Sequence, residues 1–503
     1  MSVNFLERVG VVQKEMDELV APAQNKSDCA IGLIGLGLEM HFDWELCKKA
    51  YKEAVAATEA LVPEAASLLA DAEPVQTKDD VLAMLNNYKS KGMTGLIIYH
   101  ASFIDGAVAL AVATWLKDNN MPVLSWAHTE MTGGNLRANR FCSQNFMLNV
   151  FNNMQIKYSW VFEDIGTENL NQALSRYCRS LLAKSRLNQG KLLMIGGMRV
   201  PGFYDCELNE MSIARHFGLS IDRVDLEELW QHGDKFTEEQ INPIVQKLIS
   251  SELCDENEVK ENELYLSVRF ALAIADYTRS GGYLGIALKN WPELFDRYGI
   301  AGDGAGGLVQ DLGIPVADES DMGGLLTMVT FNELTEGAGL PTLMDLSYLN
   351  ANDNKVGMWH CGGTATRLMR RGTKFQMRNH SILDNFDEES SCGMMLEFLQ
   401  ETGPITVAKY QYPHASFVMA FEGDIVDSEM RYRGSYGEVD PKNCTTKSVI
   451  NTVLTNGLDH HWIVARGHLL EDLREFNHWI GVDELPILDS VTSGRSQPKN
   501  MNF

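Results

Sequence analysis

The amino-acid sequence predicts an α/β protein in which two Rossmann-like parallel-sheet α/β domains are followed by a largely β C-terminal domain. Through the first two thirds of the chain, short apolar runs alternate with amphipathic helical patterns, as parallel strands wrapped by helices require. Beyond about residue 346 the pattern changes to turn-separated β runs. A chain of 503 residues also exceeds what one core of ordinary size serves. The expected domains are 1–165, 166–345 and 346–503.

In the first domain, CAIGLIGLG (29–37) is a strand followed by a helix near 43–62. GLIIYH (95–100) precedes a helix near 106–118, and PVLSWAH (122–128) precedes one near 143–155. A long helix over 169–188 leads into the second series: KLLMIGG (191–197), a helix near 206–217, a helix over 257–280, then YLGIAL (283–288) and IPVAD (314–318). In the third domain KVGMWHCGG, PITVAKYQY and ASFVMAFEGDIV read as strands, with a helical pattern near 467–479. DNFDEESS (384–391) reads as a solvated loop.

With 43 basic against 68 acidic residues the net charge is −25, and no Lys/Arg block is present to neutralise a phosphate backbone, which argues against nucleic acid as a partner. Nine scattered cysteines form no C-x-x-C pair and are odd in number, so reduced thiols are expected and neither a disulfide framework nor a structural zinc site. The start, MSVNFLERVGVVQKEMDELV, reads as an amphipathic helix without the basic n-region and apolar core of a signal peptide. The longest apolar stretch, FIDGAVALAVATWL (103–116), contains Asp105 and is too short for a membrane span. A cytoplasmic protein without a membrane partner is expected.

GLIGLGLE (32–39) offers Gly35 and Gly37 at a strand-to-helix turn, where backbone amides approach a phosphate. The third glycine of a dinucleotide fingerprint would fall at position 40, which is Met, so a tight turn is the competing reading. VADESDMGGLLTM (316–328) is a different matter: three carboxylates stand between a strand and an apolar helix. Acids at the carboxyl end of a parallel strand sit where α/β sheets bind ligands. Asp318, Ser320 and Asp321 read mainly as helix N-cap candidates. Glu319 does not, and 26 residues later PTLMDLS brings Asp345 to the end of another strand pattern. Histidines supply the softer ligand that a two-carboxylate transition-metal site needs: in KVGMWHCGG the strand runs into His360, and GLDHHWIVARGHLLEDL carries His460, His461 and His468.

These segments resemble a family. ADESDMGGLLTMVTFNEL…PTLMDLS looks like the metal-binding glutamate and aspartate segments of L-fucose isomerases, and LDHHWIVARGHLLEDL resembles their C-terminal metal-histidine segment. The resemblance implies Glu319, Asp345 and His461 as metal ligands. IGGMRV (195–200), with Met198 and Arg199, and the Gly-Gly of MTGGN (131–135) resemble substrate-lining segments of the related L-arabinose isomerases. His360 matches a metal-associated histidine of that second group, as ligand or substrate contact, while Thr132 stands where it carries a substrate-contacting histidine. The chain therefore mixes two patterns, and the resemblance also implies a homo-oligomer of hexameric or similar size.

The function that follows is aldose–ketose isomerisation of an open-chain monosaccharide through an enediol. Mn²⁺ is the expected ion, with Mg²⁺ or Co²⁺ as substitutes. Glu319 is the first choice for proton carrier and Asp345 the second. The substrate is left open between an L-fucose or L-arabinose type and a modified anionic hexose such as a sulfonated sugar (sulfoquinovose), for which Arg199 is the most suggestive basic residue, a surface salt bridge being its other reading. A non-catalytic sugar-binding protein and a nicotinamide-dependent oxidoreductase are the rival readings.

Overall fold

In the computed structural model, which describes residues 7–24, 29–384, 391–489 and 493–494, the chain divides into two compact units, Lys26–Arg186 and Met1–Asn25 with Leu187–Phe503. The first carries an all-parallel sheet in the order Ala66–Ala70, Cys29–Leu36, Met93–His100, Val123–Ala127, Ser159–Phe162. All eight residues of Cys29–Leu36 are buried, as expected of a strand covered on both faces.

Gly35 lies inside this strand and not in the turn after it. A Cβ there would stand 2.6 Å from the Tyr51 ring, and one at Gly37 would stand 2.6 Å from Ser102 Oγ. Both glycines are thus explained by close packing against neighbouring side chains, which removes the observation that suggested a phosphate cradle.

The second unit contains two sheets. The parallel one has the order Val316–Ala317, Ile286–Leu288, Lys191–Ile195, Ser220–Val224, so the expected strands near 283–288 and 314–318 are present but short. The expected helix near 206–217 is Glu210–Phe217, preceded by a 3₁₀ turn at Tyr204–Cys206. The other sheet is mixed and ten-stranded, and it takes in Cys254–Asn257 and Thr342–Asn350 as well as the later strands. Six of its strands, Phe417–Val426, Gly403–Tyr410, His461–Arg466, Thr342–Asn350, Lys355–His360 and Ser435–Pro441, pair antiparallel in that order, and the last pairs with the first. The ring closes around an apolar cluster that includes Met344, Met358, Val407, Phe421 and Trp462.

Helix Met322–Leu334 is buried at every position and packs on Val316–Ala317, Gly403–Tyr410 and His461–Arg466, so it lies between the parallel sheet and the ring. Its sequence, MGGLLTMVTFNEL, is apolar nearly all round, as a helix without a solvent face must be.

The N-terminal helix covers Gln13–Asp17 only; residues 1–6 and most of DNFDEESS (385–390) lie outside the described residues. All nine cysteines are free. Among the described residues no helix is long and apolar enough to cross a membrane.

Forcing a methyl group against the Tyr51 ring should destabilise the fold by about 1–3 kcal/mol, the usual result of overpacking. Gly35→Ala is therefore expected to lower the denaturant midpoint of the full chain, and an unchanged midpoint would show that Tyr51 yields without loss.

Candidate metal centre

Strand Val316–Ala317 runs into a 3₁₀ turn, Asp318–Ser320, where Glu319 takes φ 60° and Ser320 φ 55°. Left-handed backbone at a non-glycine residue costs about 1–3 kcal/mol and persists only where the surroundings enforce it. Here Glu319 N donates to Asn290 Oδ1 at 3.1 Å, tying the turn to the neighbouring strand end. The carboxylate is directed inward and is nearly buried.

Asp321 caps the following helix, accepting from Gly324 N at 2.8 Å. The cap expected there is real, but it is a small part of what the residue does. Its Oδ2 also forms a buried ion pair with Lys409 and lies 3.0 Å from His461 Nδ1. Burial would raise the Asp321 carboxyl, yet Lys409 and His461 hold it well below the usual range. Lys409, also 3.7 Å from Asp459 Oδ2, is held above its ordinary value despite burial.

Asp345 and His461 are directly opposed in the antiparallel pair Thr342–Asn350 with His461–Arg466. Asp345 is thus the fourth residue of a nine-residue strand rather than its end, contrary to the sequence expectation. Met344 and Trp462, also opposed, enter the apolar cluster of the ring, so pleating turns Asp345 and His461 to the other face. That face meets Glu319: His461 Nε2 lies 3.1 Å from Glu319 Oε2 and 3.9 Å from Asp345 Oδ1.

His460 is also drawn in. It precedes the strand, so pleating does not turn it away; its Nδ1 is 2.7 Å and its backbone N 3.0 Å from Asp205 Oδ2, leaving Nε2 3.7 Å from Glu319 Oε2. Two adjacent imidazoles are therefore each held at Nδ1 by an aspartate and presented at Nε2 to the same glutamate. Burial alone would raise the Glu319 carboxyl, but the His460, His461 and His360 imidazoles bring it down to about 2. Burial would lower His460, yet Asp205 and Glu319 raise it to about 10.

His360 is buried, with Nδ1 3.7 Å from Asp318 Oδ2 and its ring centroid 6.0 Å from that of His461. Arg199 pairs with Glu207 (3.4 Å) and stacks its guanidinium over Tyr204 at 4.4 Å, while the Met198 side chain is exposed. Among the described residues neither makes a recorded polar contact with Glu319 or Asp345.

The donor set fits a divalent cation. Glu319 Oε2 and Asp345 Oδ1 are buried and have no properly oriented hydrogen-bond donor among the described residues, although His461 Nε2 is close to both. With His461 Nδ1 directed at Asp321, the Nε2 lone pair is the one left facing the carboxylates, and a carboxylate behind a ligating imidazole is the usual support for a metal-bound histidine. The ligand atoms that lie within 4.8 Å of one another here are those of Glu319, His460, His461 and Cys206, and Asp345 is not within that group, its Oδ1 standing 3.9 Å from His461 Nε2. Sequence reasoning missed Lys409, Asn290, Asp205 and Cys206. A lysine in the apolar strand GPITVAKY was the one local signal.

Residues 37–183 match the family model described as the fucose/sulfoquinovose isomerase N-terminal domain. This match and the curated relatives mark a similarity to the fucose/sulfoquinovose isomerase superfamily, without singling out fucose or arabinose isomerases within it. The chain is 24% identical over 437 residues to a sulfoquinovose isomerase of Alkalicoccus urumqiensis, covering 86% of this chain and 94% of the relative. It is 22% identical over 423 residues to a sulfoquinovose isomerase of Priestia aryabhattai (83% and 91% covered). It is 24% identical over 386 residues to one of Clostridium sp. strain MSTE9 (75% and 83% covered).

His461→Ala is expected to lose Mn²⁺ while His460→Ala, which removes a more exposed and more distant imidazole, retains more of it; Asp321→Asn should weaken binding by about 10–100-fold, as loss of a supporting carboxylate does. Equal metal content in wild type and His461→Ala would reject the assignment. Lys409→Met strands the buried Asp321 charge and should cost about 3–5 kcal/mol of stability, measured by denaturant unfolding; a change within experimental scatter would show that the pair carries no such load.

Proposed function

We propose that the protein is a metal-dependent aldose–ketose isomerase acting on a sulfonated hexose of the sulfoquinovose type. The observation that carries the reaction is the approach of Glu319 and Asp345 to His461, with one buried carboxylate oxygen on each that has no hydrogen-bond donor among the described residues. The relatives named sulfoquinovose isomerases favour the sulfonated sugar over L-fucose or L-arabinose. Glu319, Asp345 and His461 are the proposed ligands, with His360 beside them, and two oxygens with one nitrogen suit Mn²⁺, with Mg²⁺ or Co²⁺ as substitutes. When bound, such an ion polarises the sugar carbonyl and offsets the charge that develops on the enediolate oxygens.

The chain's own residues do the rest. Glu319, kept ionised by the imidazoles around it, takes the proton from C2 of the open-chain aldose and returns it to C1 of the ketose. Asp345 is the second carboxylate on that face. Asp321 keeps His461 in one tautomer and one orientation throughout. Asp205 holds His460 against Glu319, where it restrains the carboxylate. The sulfonate is unchanged by the reaction, and Arg199 can meet it only by exchanging its present partner, Glu207.

The Mn²⁺-loaded protein is expected to isomerise sulfoquinovose with a higher kcat/KM than L-fucose, L-arabinose or D-glucose, and EDTA should abolish turnover. Faster turnover of a neutral sugar would overturn the substrate, and binding without turnover would make this a sugar-binding protein. Glu319→Gln should lower kcat by about 10²–10⁴, the usual loss for a general base, with folding checked by circular dichroism; near-wild-type turnover would exclude Glu319 as the base.

Turnover in D₂O distinguishes the route of the hydrogen. An enediol route passes the proton through a carboxylate that exchanges with solvent, so deuterium should appear at C1 of the ketose. Retention of the substrate hydrogen in both the wild type and a slower Glu319→Asp variant would assign a hydride shift instead.

A further inference from the structure

Behind His360 lies a second group of buried donors that the isomerase reading does not use. Asp303 stands in the first turn of helix Gly302–Asp311, Cys361 follows the strand Lys355–His360, and His380 precedes the short helix Ser381–Asp384. One ligand atom from each of the three can lie within 4.8 Å of the other two. All three side chains are buried, and His380 is 0% exposed.

Hydrogen bonding leaves this group unsatisfied. Neither ring nitrogen of His380 has a partner among the described residues, and Asp303 Oδ1 and the neighbouring Asp318 Oδ1 have none. A fully buried imidazole with both nitrogens bare is rare, because each loses its water without replacement. The ring is instead held edgewise by aromatic neighbours, Trp291 at 5.4 Å and Phe295 at 5.5 Å, which fix its position but offer no acceptor. Charge leads to the same conclusion: among the described residues no lysine or arginine forms an ion pair with Asp303, Asp318, Glu319 or Asp345.

We propose that Asp303, Cys361 and His380 form a second metal site, distinct from Glu319, Asp345 and His461, that takes a borderline-soft divalent ion such as Zn²⁺. One imidazole, one thiolate and one carboxylate form a ligand set typical of zinc and poorly suited to Mg²⁺ or Ca²⁺. Binding forms a metal–sulfur bond and releases the Cys361 thiol proton to solvent. The ion ties the start of helix Gly302–Asp311 to the end of strand Lys355–His360 and to the segment at 380. It also offsets the charge of Asp303 beside Asp318, the carboxylate that faces His360. Asn290 connects the two groups, with Oδ1 accepting from Glu319 N and Nδ2 donating to Asp303 Oδ2 at 3.4 Å.

The test reads metal rather than turnover, so it is independent of the sugar and of the isomerase reading. The full-length protein is stripped, loaded with Co²⁺, freed of excess ion, and examined by metal analysis and absorption. Wild type should show a thiolate-to-cobalt charge-transfer band in the near ultraviolet. Cys361→Ser should lose the band and one metal ion per chain, and His380→Gln should weaken both. His461→Ala should keep the band while losing the other ion. Cys206→Ser, which removes the thiol 3.9 Å from His461 Nδ1, should also keep it. If Cys361→Ser does not fold, the wild-type, His380→Gln and Cys206→Ser spectra decide. Absence of the band in wild type, an unchanged band in His380→Gln, or its loss in Cys206→Ser would overturn the proposal.

Discussion

The buried charge of Asp321 is the constraint on which the candidate centre depends. This one carboxylate caps helix Met322–Leu334, pairs with Lys409 on strand Gly403–Tyr410, and lies against Nδ1 of His461 on strand His461–Arg466. The helix start therefore cannot shift against the ring of strands without leaving either an anion or an ammonium unpaired in the interior, where both are costly. Because Glu319 sits two residues before Asp321 in the same turn, its position relative to His461 is inherited from that pair.

The same arrangement explains how acids tolerate an interior position. Asp318, Glu319 and Asp321 leave the parallel sheet together and meet basic groups: Asp318 faces His360, Glu319 faces His460 and His461, and Asp321 has Lys409 and the other ring nitrogen of His461. The side chains on the ring are presented by pleating, which puts Asp345 and His461 on one face while Met344 and Trp462 fill the other. The centre is thus a junction, with the carboxyl end of a parallel strand supplying one carboxylate and an antiparallel pair supplying another with an imidazole. The left-handed backbone of Glu319 and Ser320 is the local strain that lets the strand end turn its glutamate inward.

Some of this was legible in the chain and some was not, and the difference follows the range of the interactions. Glu319 stood out because a strand pattern ending in acids before a glycine-started apolar helix is a contiguous signal. Asp345 and His461 stand out as residue types in apolar strands, although the local pattern puts Asp345 at a strand end and the fold puts it within a strand of the ring. Asp321 was read as a cap, which it is, but its partners Lys409 and His461 are 88 and 140 residues away and no local pattern announces them. His460 stands one residue before the strand begins, so strand alternation does not govern it and it faces Glu319 as well.

By itself the sequence determined the alternation of parallel strands and helices, the change to β structure in the last third, the helix that is apolar nearly all round, and a short list of acids and histidines able to do chemistry. These depend on periods of two and 3.6 residues and on local turn preferences, which neighbouring residues set between themselves. Only the tertiary structure decided that Asp345 faces His461 across a strand pair, that Asp321 (itself paired with Lys409) and Asp205 hold the two imidazoles, and that Asp303, Cys361 and His380 lie together with buried atoms left without hydrogen-bond partners among the described residues. Such juxtapositions depend on strand register and on loops closed over scores to hundreds of residues. They are settled by packing and by the cost of leaving buried polar groups without partners, not by anything adjacent in the chain.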